Sequence, residues 1–428
     1  MNIAFYTLGC KVNQYETQVM REIFVKQGHT IVSVDGDVDV FIINSCTVTA
    51  ESDRKTRQTV RHYRKLFPNA VIILTGCMPQ AFPDDANALS QADIVTGNTS
   101  PYIVPELLKS FLSDGKRIVK IQPHQRKEEY STPTIGSFDE RTRAYIKIED
   151  GCERYCTYCI IPKARGFVRS KPLDEIKAES EILAAKGFSE IVLVGINLSA
   201  YGKGADFNLC DAVSAVCSVD GIKRVRLGSL EPDHISNDML IKLSKEEKFC
   251  PQFHLSLQSG CDATLKRMNR HYDTAFYRDL VNRIRAIFPN CSITTDIMVG
   301  FAGETEDEFN KSVNFLKEIG FAKSHVFAYS RREGTVASGL SGQVSSAEKS
   351  RRSKIMIKAA EECEANFLTN QLNTTASVLF ESYEDGYAYG YTPNYTRVKV
   401  KSDINLQNQI KTVLLKTLCD NLIVASII

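Results

Sequence analysis

Three cysteines stand close together near the middle of the chain, in the stretch GCERYCTYC. Cys152, Cys156 and Cys159 have the spacing CxxxCxxC. Three thiolates at this spacing can ligate three irons of a four-iron cluster and leave the fourth iron open. A structural zinc site would need a fourth ligand, and no histidine lies nearby in the sequence to supply one. The motif therefore indicates an iron–sulfur cluster with one open iron.

Three more cysteines are far apart in sequence but share one local pattern. The stretches AFYTLGC, VFIINSC and VIILTGC each join an apolar strand, a small or polar residue and a cysteine, at Cys10, Cys46 and Cys77. The carboxyl ends of parallel strands meet at one sheet edge, where functional loops gather. The first 150 residues contain no other cysteine. The pattern predicts a shared metal site at that edge, and the alternative is ordinary packing of small side chains.

The remaining cysteines lie in no recurring context. The chain has thirteen cysteines, which is many for a cytoplasmic protein, and a reducing compartment disfavours disulfides. We expect Cys261 to belong to its local loop. Six others are expected to be buried small hydrophobes: Cys210, Cys217, Cys250, Cys291, Cys363 and Cys419.

Length and composition set the class of protein. A chain of 428 residues is too long for one compact core, so two or three domains are expected. With 43% hydrophobic and 24% charged residues, no charged-then-apolar leader and no long apolar segment, we expect a soluble cytoplasmic protein without a membrane partner. The 53 basic and 51 acidic residues give a net charge of +2, so any nucleic-acid surface must be local.

The first third of the chain alternates strand and helix patterns. Strand candidates are IAFYTL, TIVSV, VFIIN and VIILT, and helix candidates are the stretch after Cys10, Glu51 to Phe67 and Pro105 to Leu112. This alternation predicts an α/β domain over residues 1–115, a flavodoxin-like parallel sheet with helices on both faces. Residues 116–141 are polar and are interpreted as a linker.

Two further domains follow. Residues 142–370 contain six strand candidates, AYIKIED, IVLVGIN, RVRLGSL, FHLSLQS, ITTDIMVGF and SHVFAYS, which alternate with helical stretches. Six such units predict a partial (β/α)6 barrel with chemistry at the carboxyl ends of its strands. Residues 371–428 alternate with period two around the turns EDG and TPN, which predicts a small antiparallel β-barrel.

The CxxxCxxC motif after the first strand of a six-unit barrel resembles the radical S-adenosylmethionine (SAM) superfamily. The resemblance implies that the open iron chelates SAM, whose reductive cleavage yields a 5′-deoxyadenosyl radical. It places Tyr158 near the adenine of SAM. It also implies SAM contacts at the strand ends, where each residue has a turn or core role as the alternative: Gly195, Asn197, Ser229, Glu231, Gln258, Asp296, Gly300 and, for an anion, Arg331.

The whole chain resembles the methylthiotransferase family. GCKVNQYET, NSCTVT and TGCMPQ match its three N-terminal loops, so Asn13 and Asn44 would lie beside a second cluster, and the last domain is similar to the RNA-binding TRAM module. The family implies two 4Fe–4S clusters, with sulfur bound at the second. One SAM would methylate that sulfur and another would supply the radical, which converts C–H to C–SCH3. An electron donor such as flavodoxin or ferredoxin and a sulfur source are implied as partners.

The first loop, TLGCKVNQYET, resembles the threonylcarbamoyl subgroup of that family. That resemblance implies methylthiolation at C2 of the adenine in N6-threonylcarbamoyladenosine, next to the tRNA anticodon. Phe167 departs from the subgroup pattern, where a polar or basic residue is commoner. The alternatives are an isopentenyl-adenosine in tRNA, an aspartate of a ribosomal protein, or a non-enzymatic, zinc-bearing RNA-binding protein.

Two surfaces are candidates for contact with the tRNA anticodon arm. The helical stretch ESDRKTRQTVRHYRK places Arg54, Arg57, Arg61 and Arg64 on one face, able to lie along phosphates, with a solvated helix face as the alternative. The last domain carries tyrosines that could stack on bases or form a bare barrel core. They are Tyr383, Tyr387, Tyr389, Tyr391 and Tyr395.

Overall fold

A computed structural model describes residues 1–136 and 142–428. The end of the predicted linker, residues 137–141, and the linker's junction with the barrel lie outside the described residues. Within the described ranges, no helix is both long and apolar enough to cross a membrane.

The N-terminal domain is a six-stranded parallel sheet covered by helices. Its strands are β1 (Asn2–Thr7), β2 (Thr30–Ile31), β3 (Val40–Ser45), β4 (Val71–Gly76), β5 (Ile94–Thr96) and β6 (Ile118–Lys120). Its helices are α1 (Lys11–Lys26), α2 (Ala50–Leu66), α3 (Cys77–Ala81), α4 (Pro83–Asn87) and α5 (Ile103–Asp114). The strand order β2-β1-β3-β4-β5-β6 contains the flavodoxin order, which confirms the predicted fold.

Both faces of this sheet are apolar, because successive side chains of a strand point to opposite faces. Phe41 and Ile43 of β3 pack into the hydrophobic cluster on one face. Val40 and Ile42 pack into the cluster on the other face. Strand β6 pairs with β5, so the sheet extends into the predicted linker.

The middle domain holds the six predicted strands, the third of them divided into two, and two further short strands. The strands are β7 (Arg143–Lys147), β8 (Glu149–Asp150), β9 (Arg169–Ser170), β10 (Glu190–Val194), β11 (Arg224–Leu227), β12 (Ser229–Leu230), β13 (Gln252–Leu255), β14 (Ser292–Val299) and β15 (Lys323–Ala328). The helices are α6 (Ile161–Arg165), α7 (Leu173–Ala185), α8 (Leu209–Cys217), α9 (Asn237–Ser244), α10 (Asp262–Arg267), α11 (Thr274–Ile287), α12 (Glu306–Ile319) and α13 (Ser346–Asn370).

These strands form a partial barrel. Two parallel sheets, β11-β10-β7 and β12-β13-β14-β15, share the third predicted strand, which is interrupted at Gly228. The Gly228 amide still donates to the Leu193 carbonyl at 2.8 Å, so the break is a local change of direction rather than a gap. The predicted partial (β/α)6 barrel is confirmed.

The C-terminal domain is a closed five-stranded barrel. Its strands are β16 (Thr375–Glu384), β17 (Tyr387–Tyr391), β18 (Arg397–Lys401), β19 (Ile410–Cys419) and β20 (Leu422–Ile427). The order is β16-β17-β18-β20-β19, and only the β18–β20 pair is parallel among these strands. The predicted small β-barrel is therefore confirmed, with one parallel pair that the alternation of residues did not indicate.

Three of the C-terminal tyrosines lie on the outside of this barrel. Ala388 and Gly390 occupy the inner positions of β17, so Tyr387, Tyr389 and Tyr391 face outward. A β-carbon on Gly390 would lie 2.2 Å from the Leu379 carbonyl oxygen, which leaves no room for a larger inner residue. The alternative that these three tyrosines form the barrel core is wrong.

Candidate functional site

The three cysteines of the N-terminal domain are brought to one edge of the sheet. Strands β1, β3 and β4 are parallel neighbours, and Asn44 pairs with both Thr7 and Thr75. Their carboxyl ends therefore lie level, and each is followed within three residues by one of the cysteines. Cys46 and Cys77 are buried, whereas Cys10 is exposed at the start of α1. The predicted gathering of these residues at one edge is what the structure shows.

Two glycines allow the cysteine loops to pack tightly. Gly9 has φ +118°, and a β-carbon there would lie 3.0 Å from the Cys46 β-carbon. Gly76 has φ +100°, and a β-carbon there would lie 2.5 Å from the backbone N and O of Ser45. Only glycine combines this backbone conformation with so close an approach.

The predicted amides brace the same loops. Asn13 Nδ2 donates to Asn44 Oδ1 and to the Ser45 carbonyl, both at 3.2 Å. Asn44 Nδ2 in turn donates to the Asn13 carbonyl at 3.0 Å, and the Cys10 thiol donates to Asn13 Oδ1 at 3.3 Å. The two asparagines therefore position Cys10 relative to β3.

Burial controls the protonation of these thiols. It raises the pKa of Cys77 to about 12 and also raises the pKa of Cys46. The Arg165 guanidinium opposes the shift at Cys77, to which its Nε donates at 3.2 Å. Thiolates, not thiols, bind metal, and the buried Arg165 guanidinium would offset the negative charge of a metal-bound Cys77 thiolate.

The CxxxCxxC cysteines lie on the loop between β8 and α6. Arg270 donates to Cys156 Sγ at 3.3 Å, and the Ile161 amide faces Cys159 Sγ at 3.4 Å. Burial, followed by the neighbouring Cys156, raises the pKa of Cys159 to about 12. Burial also raises the pKa of Cys152 to about 12, and Cys156 contributes to this increase.

No group of three or more His, Cys, Asp or Glu side chains in residues 1–136 and 142–428 is arranged to hold a metal ion. The thiolates of a four-iron cluster bind separate irons, so they stand farther apart than ligands that share one ion. Each set supplies three soft sulfur donors, which fits an iron–sulfur cluster with one open iron.

Helix α6 connects the two cysteine sets. It starts two residues after Cys159 and ends at Arg165, which is fully buried and contacts Cys77. Arg165 also binds both carboxylate oxygens of Glu16, one of them at 3.1 Å. Lys147 reaches Glu16 at 2.8 Å and Asp150 at 2.6 Å. This buried charge network holds the two sites next to each other.

Sequence reasoning did not single out Arg165. Its partners Cys77 and Glu16 lie 88 and 149 residues away, so these contacts leave no local pattern. Arg270, which donates to Cys156 and to Glu231, was missed for the same reason.

Gly195 and Asn197 follow β10, as predicted, and surround Glu149. The Asn197 amide donates to Glu149 Oε2 at 2.7 Å, and a β-carbon on Gly195 would lie 2.6 Å from that oxygen. Glu149 Oε1 and Asn197 Oδ1 are buried, and neither has a hydrogen-bond partner among the described residues. Burial raises the pKa of Glu149 well above its usual range. Glu149 and Asn197 therefore offer two unpaired side-chain oxygens near the CxxxCxxC loop, and an incoming ammonium group would favour the ionised form of Glu149.

The residues predicted to contact SAM after the third and fourth predicted strands lie in different environments. Ser229 is exposed, and Glu231 is ion-paired to Arg270 and lies 3.7 Å from the Arg154 guanidinium. Gln258 is buried with φ +69°, and its backbone pairs with β14 through the Asp296 carbonyl and the Met298 amide. The Gln258 backbone is therefore part of the barrel framework.

The remaining predicted SAM contacts are Tyr158 on the CxxxCxxC loop and residues on or after β14 and β15. Tyr158 packs edge-on against Phe301, with ring centroids 6.3 Å apart. Asp296 Oδ2 lies 3.3 Å from His254 Nε2. A β-carbon on Gly300, which has φ +70°, would lie 2.4 Å from Lys349 Cγ, so close packing against α13 accounts for this glycine. Arg331 is exposed and donates to the Ser338 carbonyl.

Arg332, and not Arg331, joins the barrel to the N-terminal domain. It is buried and donates to Thr47 Oγ1 and Asp53 Oδ2, both at 2.7 Å. The Ala50 amide donates to Ser330 Oγ at 3.1 Å beside it. The end of β15 is therefore fastened to the loop that carries Cys46.

Replacing Arg332 with methionine should loosen this joint. Because it leaves the Asp53 carboxylate buried without its cation, we expect a loss of about 3 kcal/mol in the free energy of unfolding. Hydrogen exchange at residues 46–56 should accelerate. Arg331→Met, one residue away on the surface, is the matched control. Equal exchange in the two variants would show that Arg332 does not hold the joint.

Two predictions about other residues need correction. Arg64 donates to the carbonyls of Pro68, Ala70 and Gln91 and pairs with Asp93, so its side chain is engaged within the N-terminal domain. The predicted basic face of α2 is therefore reduced to its other three arginines, of which Arg54 is ion-paired to Glu51 at the surface. Cys419 is exposed at a hairpin turn, whereas the other five cysteines expected to be buried are buried.

A cavity of about 570 Å³ lies between the partial barrel and the C-terminal barrel. Its barrel side includes His254, Asp296 and His325, and its other side includes Tyr391 and Tyr395. Lys11, the residue after Cys10, also lines it. The cavity therefore adjoins the sheet edge that carries the first cysteine set.

Two family profiles match the chain. The uncharacterized protein family UPF0004 matches residues 2–97, and the radical SAM superfamily matches residues 146–316. These ranges contain the two cysteine sets, one each.

Curated relatives match almost the whole chain. The threonylcarbamoyladenosine tRNA methylthiotransferase MtaB of Bacillus subtilis is 34% identical over 95% of this chain and 92% of its own length. MtaB of Thermotoga maritima is 37% identical over 91% of this chain and 89% of its own. The tRNA-2-methylthio-N(6)-dimethylallyladenosine synthase of Natranaerobius thermophilus is 32% identical over 88% and 85%.

Solved structures agree on the fold. The radical SAM methyltransferase TsrM of Kitasatospora setae superposes with a TM-score of 0.57 at 12% identity, covering 76% of this chain and 72% of its own. At that identity the likeness concerns the fold alone.

Proposed function

This chain belongs to the radical SAM methylthiotransferases that act on tRNA, and we propose that its substrate is N6-threonylcarbamoyladenosine next to the anticodon, methylthiolated at C2 of the adenine. Four relatives named for that activity, at 32–37% identity, support this choice of substrate. Family membership sets aside the ribosomal-protein and zinc-bearing, non-enzymatic alternatives.

The observation that carries the proposal is the contact between the two cysteine sets through α6. A methylthio transfer needs a carbon radical and a sulfur donor within reach of one carbon atom. Arg165 touches Cys77 and stands at the end of the helix that follows Cys159. The two cysteine sets are thereby held on neighbouring surfaces.

We infer that each cysteine set holds one 4Fe–4S cluster and that each product consumes two SAM molecules. When bound, these groups supply reductive generation of a carbon radical and donation of a methylated sulfur. The unpaired oxygens Glu149 Oε1 and Asn197 Oδ1 would receive the amino group of SAM. Arg165 offsets negative charge at Cys77, and Arg270 does so at Cys156.

An electron donor such as flavodoxin or ferredoxin and a sulfur source belong to this proposal, as does a cytoplasmic location.

The tRNA anticodon arm would meet the exposed part of the α2 face and the outer tyrosines of β17. Lys399 lies 5.2 Å from the Tyr387 ring centroid, and Arg397 lies 5.8 Å from that of Tyr389, so cations and rings alternate there.

The α2 face makes a separate prediction. Arg61 is exposed on it and should contact a phosphate, so Arg61→Gln should weaken tRNA binding and reduce the slope of log K against log salt by about 1. Fluorescence anisotropy across salt concentrations measures both. Arg278→Gln, which removes an exposed arginine of α11, is the control. An unchanged slope for Arg61→Gln would place the phosphates elsewhere.

A second candidate substrate is isopentenyl-adenosine, because four relatives at 30–33% identity are named for the dimethylallyladenosine reaction. Mass spectrometry of tRNA nucleosides from a strain without the gene decides between the two. We expect threonylcarbamoyladenosine to accumulate without its methylthio group. Loss of the methylthio group from isopentenyl-adenosine alone would establish the second candidate.

A further inference from the structure

The cavity between the two barrels is lined by charged residues that are mostly paired. Lys323 lies 3.4 Å from Glu364, and Asp296 lies 3.3 Å from His254. Arg226 donates to Glu190 at 3.0 Å. These side chains therefore reach the cavity already engaged with another protein group.

Lys11 differs from these residues. It forms no ion pair with any of the described residues and is accessible from the cavity. Its Nζ lies 5.9 Å from the ring centroid of Tyr145. Two neighbouring arginines, Arg143 and Arg226, act on the charge of Lys11. Arg143 is ion-paired to Glu381, and Arg226 is ion-paired to Glu190. Lys11 therefore brings an amine to the cavity that has no ion-pair partner among the described residues, and burial together with Arg143 and Arg226 lowers its pKa to about 8.

We infer that Lys11 determines specificity by binding a carboxylate on the N6 substituent of the target adenine. This inference rests on the proposed substrate, whose threonyl group carries one carboxylate, whereas an isopentenyl group carries none. The cavity offers the other requirement, which is space beside the cation for a substituent.

The position of Lys11 agrees with the chemistry of adenine. C2 and N6 flank N1 on the same edge of the base. If C2 faces the sulfur held at the first cysteine set, the N6 substituent projects from that same edge. Lys11 follows Cys10 directly and lines the adjoining cavity. A lysine at this point can reach the substituent while C2 remains at the sulfur.

The expected change in RNA affinity follows from the cost of leaving one charge unpaired where bulk water does not reach it. Removing one partner of such a pair lowers affinity by roughly 30-fold or more, since the other charge stays desolvated and unpaired. We expect the wild-type protein to prefer the carboxylate form of the substrate over an uncharged amide form by about that factor.

The test measures binding of two anticodon stem-loop RNAs to the iron-loaded protein under anaerobic conditions. One RNA carries threonylcarbamoyladenosine, and the other carries the same nucleoside with its carboxylate converted to a primary amide. The variants are Lys11→Met and Lys11→Arg. Lys323→Met, which removes the other lysine of the cavity, is the matched control.

We expect Lys11→Met to bind both RNAs with the weaker affinity of the amide. Lys11→Arg and Lys323→Met should keep the preference for the carboxylate. Equal affinity of the wild-type protein for the two RNAs would overturn the inference without any variant, and so would an unchanged preference in Lys11→Met. Iron content and visible absorbance of each variant show whether Cys10 still holds its cluster.

The inference and the proposed function fail in different ways. If the wild-type protein yields no methylthiolated threonylcarbamoyladenosine in a turnover assay, the proposed substrate is wrong. If the product forms but the preference for the carboxylate is independent of Lys11, only the role of Lys11 is wrong.

Discussion

Cys46→Ala is expected to abolish methylthio transfer while SAM cleavage to 5′-deoxyadenosine continues. Cys46 belongs to the sheet-edge set, where its role would be to hold the cluster that carries sulfur. The CxxxCxxC loop is formed by different residues and is held by Arg270, so it remains intact. Liquid chromatography with mass spectrometry measures both products in one reaction.

Cys156→Ala should abolish both products, which makes it the informative partner of Cys46→Ala. Cys250→Ala removes a buried cysteine outside both sets and should retain both products. Full methylthiolation by Cys46→Ala would show that the sheet-edge set does not supply sulfur. Loss of 5′-deoxyadenosine in that variant would show that the two sites do not act separately.

Arg165→Met is expected to have the largest effect on stability. Arg165 is fully buried and neutralises Glu16 and, with Lys147, Asp150. Removing one partner of a buried ion pair costs about 3–5 kcal/mol, because an uncompensated charge stays behind. Urea unfolding of the wild type and the variant measures this difference.

The pH dependence of stability gives a second readout for Arg165→Met. Burial raises the pKa of Asp150, but Lys147 and Arg165 outweigh burial, and the net pKa lies below its usual range. A lowered folded-state pKa contributes stability above the unfolded pKa of about 4, and that stability is lost as the pH falls through the folded value. Without Arg165, this contribution at neutral pH should shrink.

Arg278→Met is the matched control for stability, since Arg278 pairs with Glu318 on the surface. Exposed pairs of this kind contribute little. If Arg165→Met were as stable as Arg278→Met at both neutral and acidic pH, the charge network around α6 would not be what holds the two cysteine sets together.

The two cysteine sets were predictable because each cysteine stands in a pattern that is local in sequence. CxxxCxxC encodes one loop, and each sheet-edge cysteine follows a run of apolar residues that forms a strand. Strands β5 and β6 have only three residues each, which is too short to leave a recognisable pattern. Their absence from the prediction left the sheet short at one edge.

The charged residues that organise the site were not predictable. Arg165, Arg270 and Arg332 each gain their role mainly from a partner 39 or more residues away, which only the folded chain brings close. The reverse happened on α2, where helical spacing suggested one basic face. The fold turns Arg64 toward the carbonyls at the end of that helix.

Iron and sulfide analysis of anaerobically purified protein tests the central claim, that each cysteine set holds its own four-iron cluster. The wild type should contain about eight irons per chain. Alanine at Cys10, Cys46 and Cys77 should leave about four, and so should alanine at Cys152, Cys156 and Cys159. About four irons in the wild type, with one of the triple variants unchanged from it, would contradict the claim.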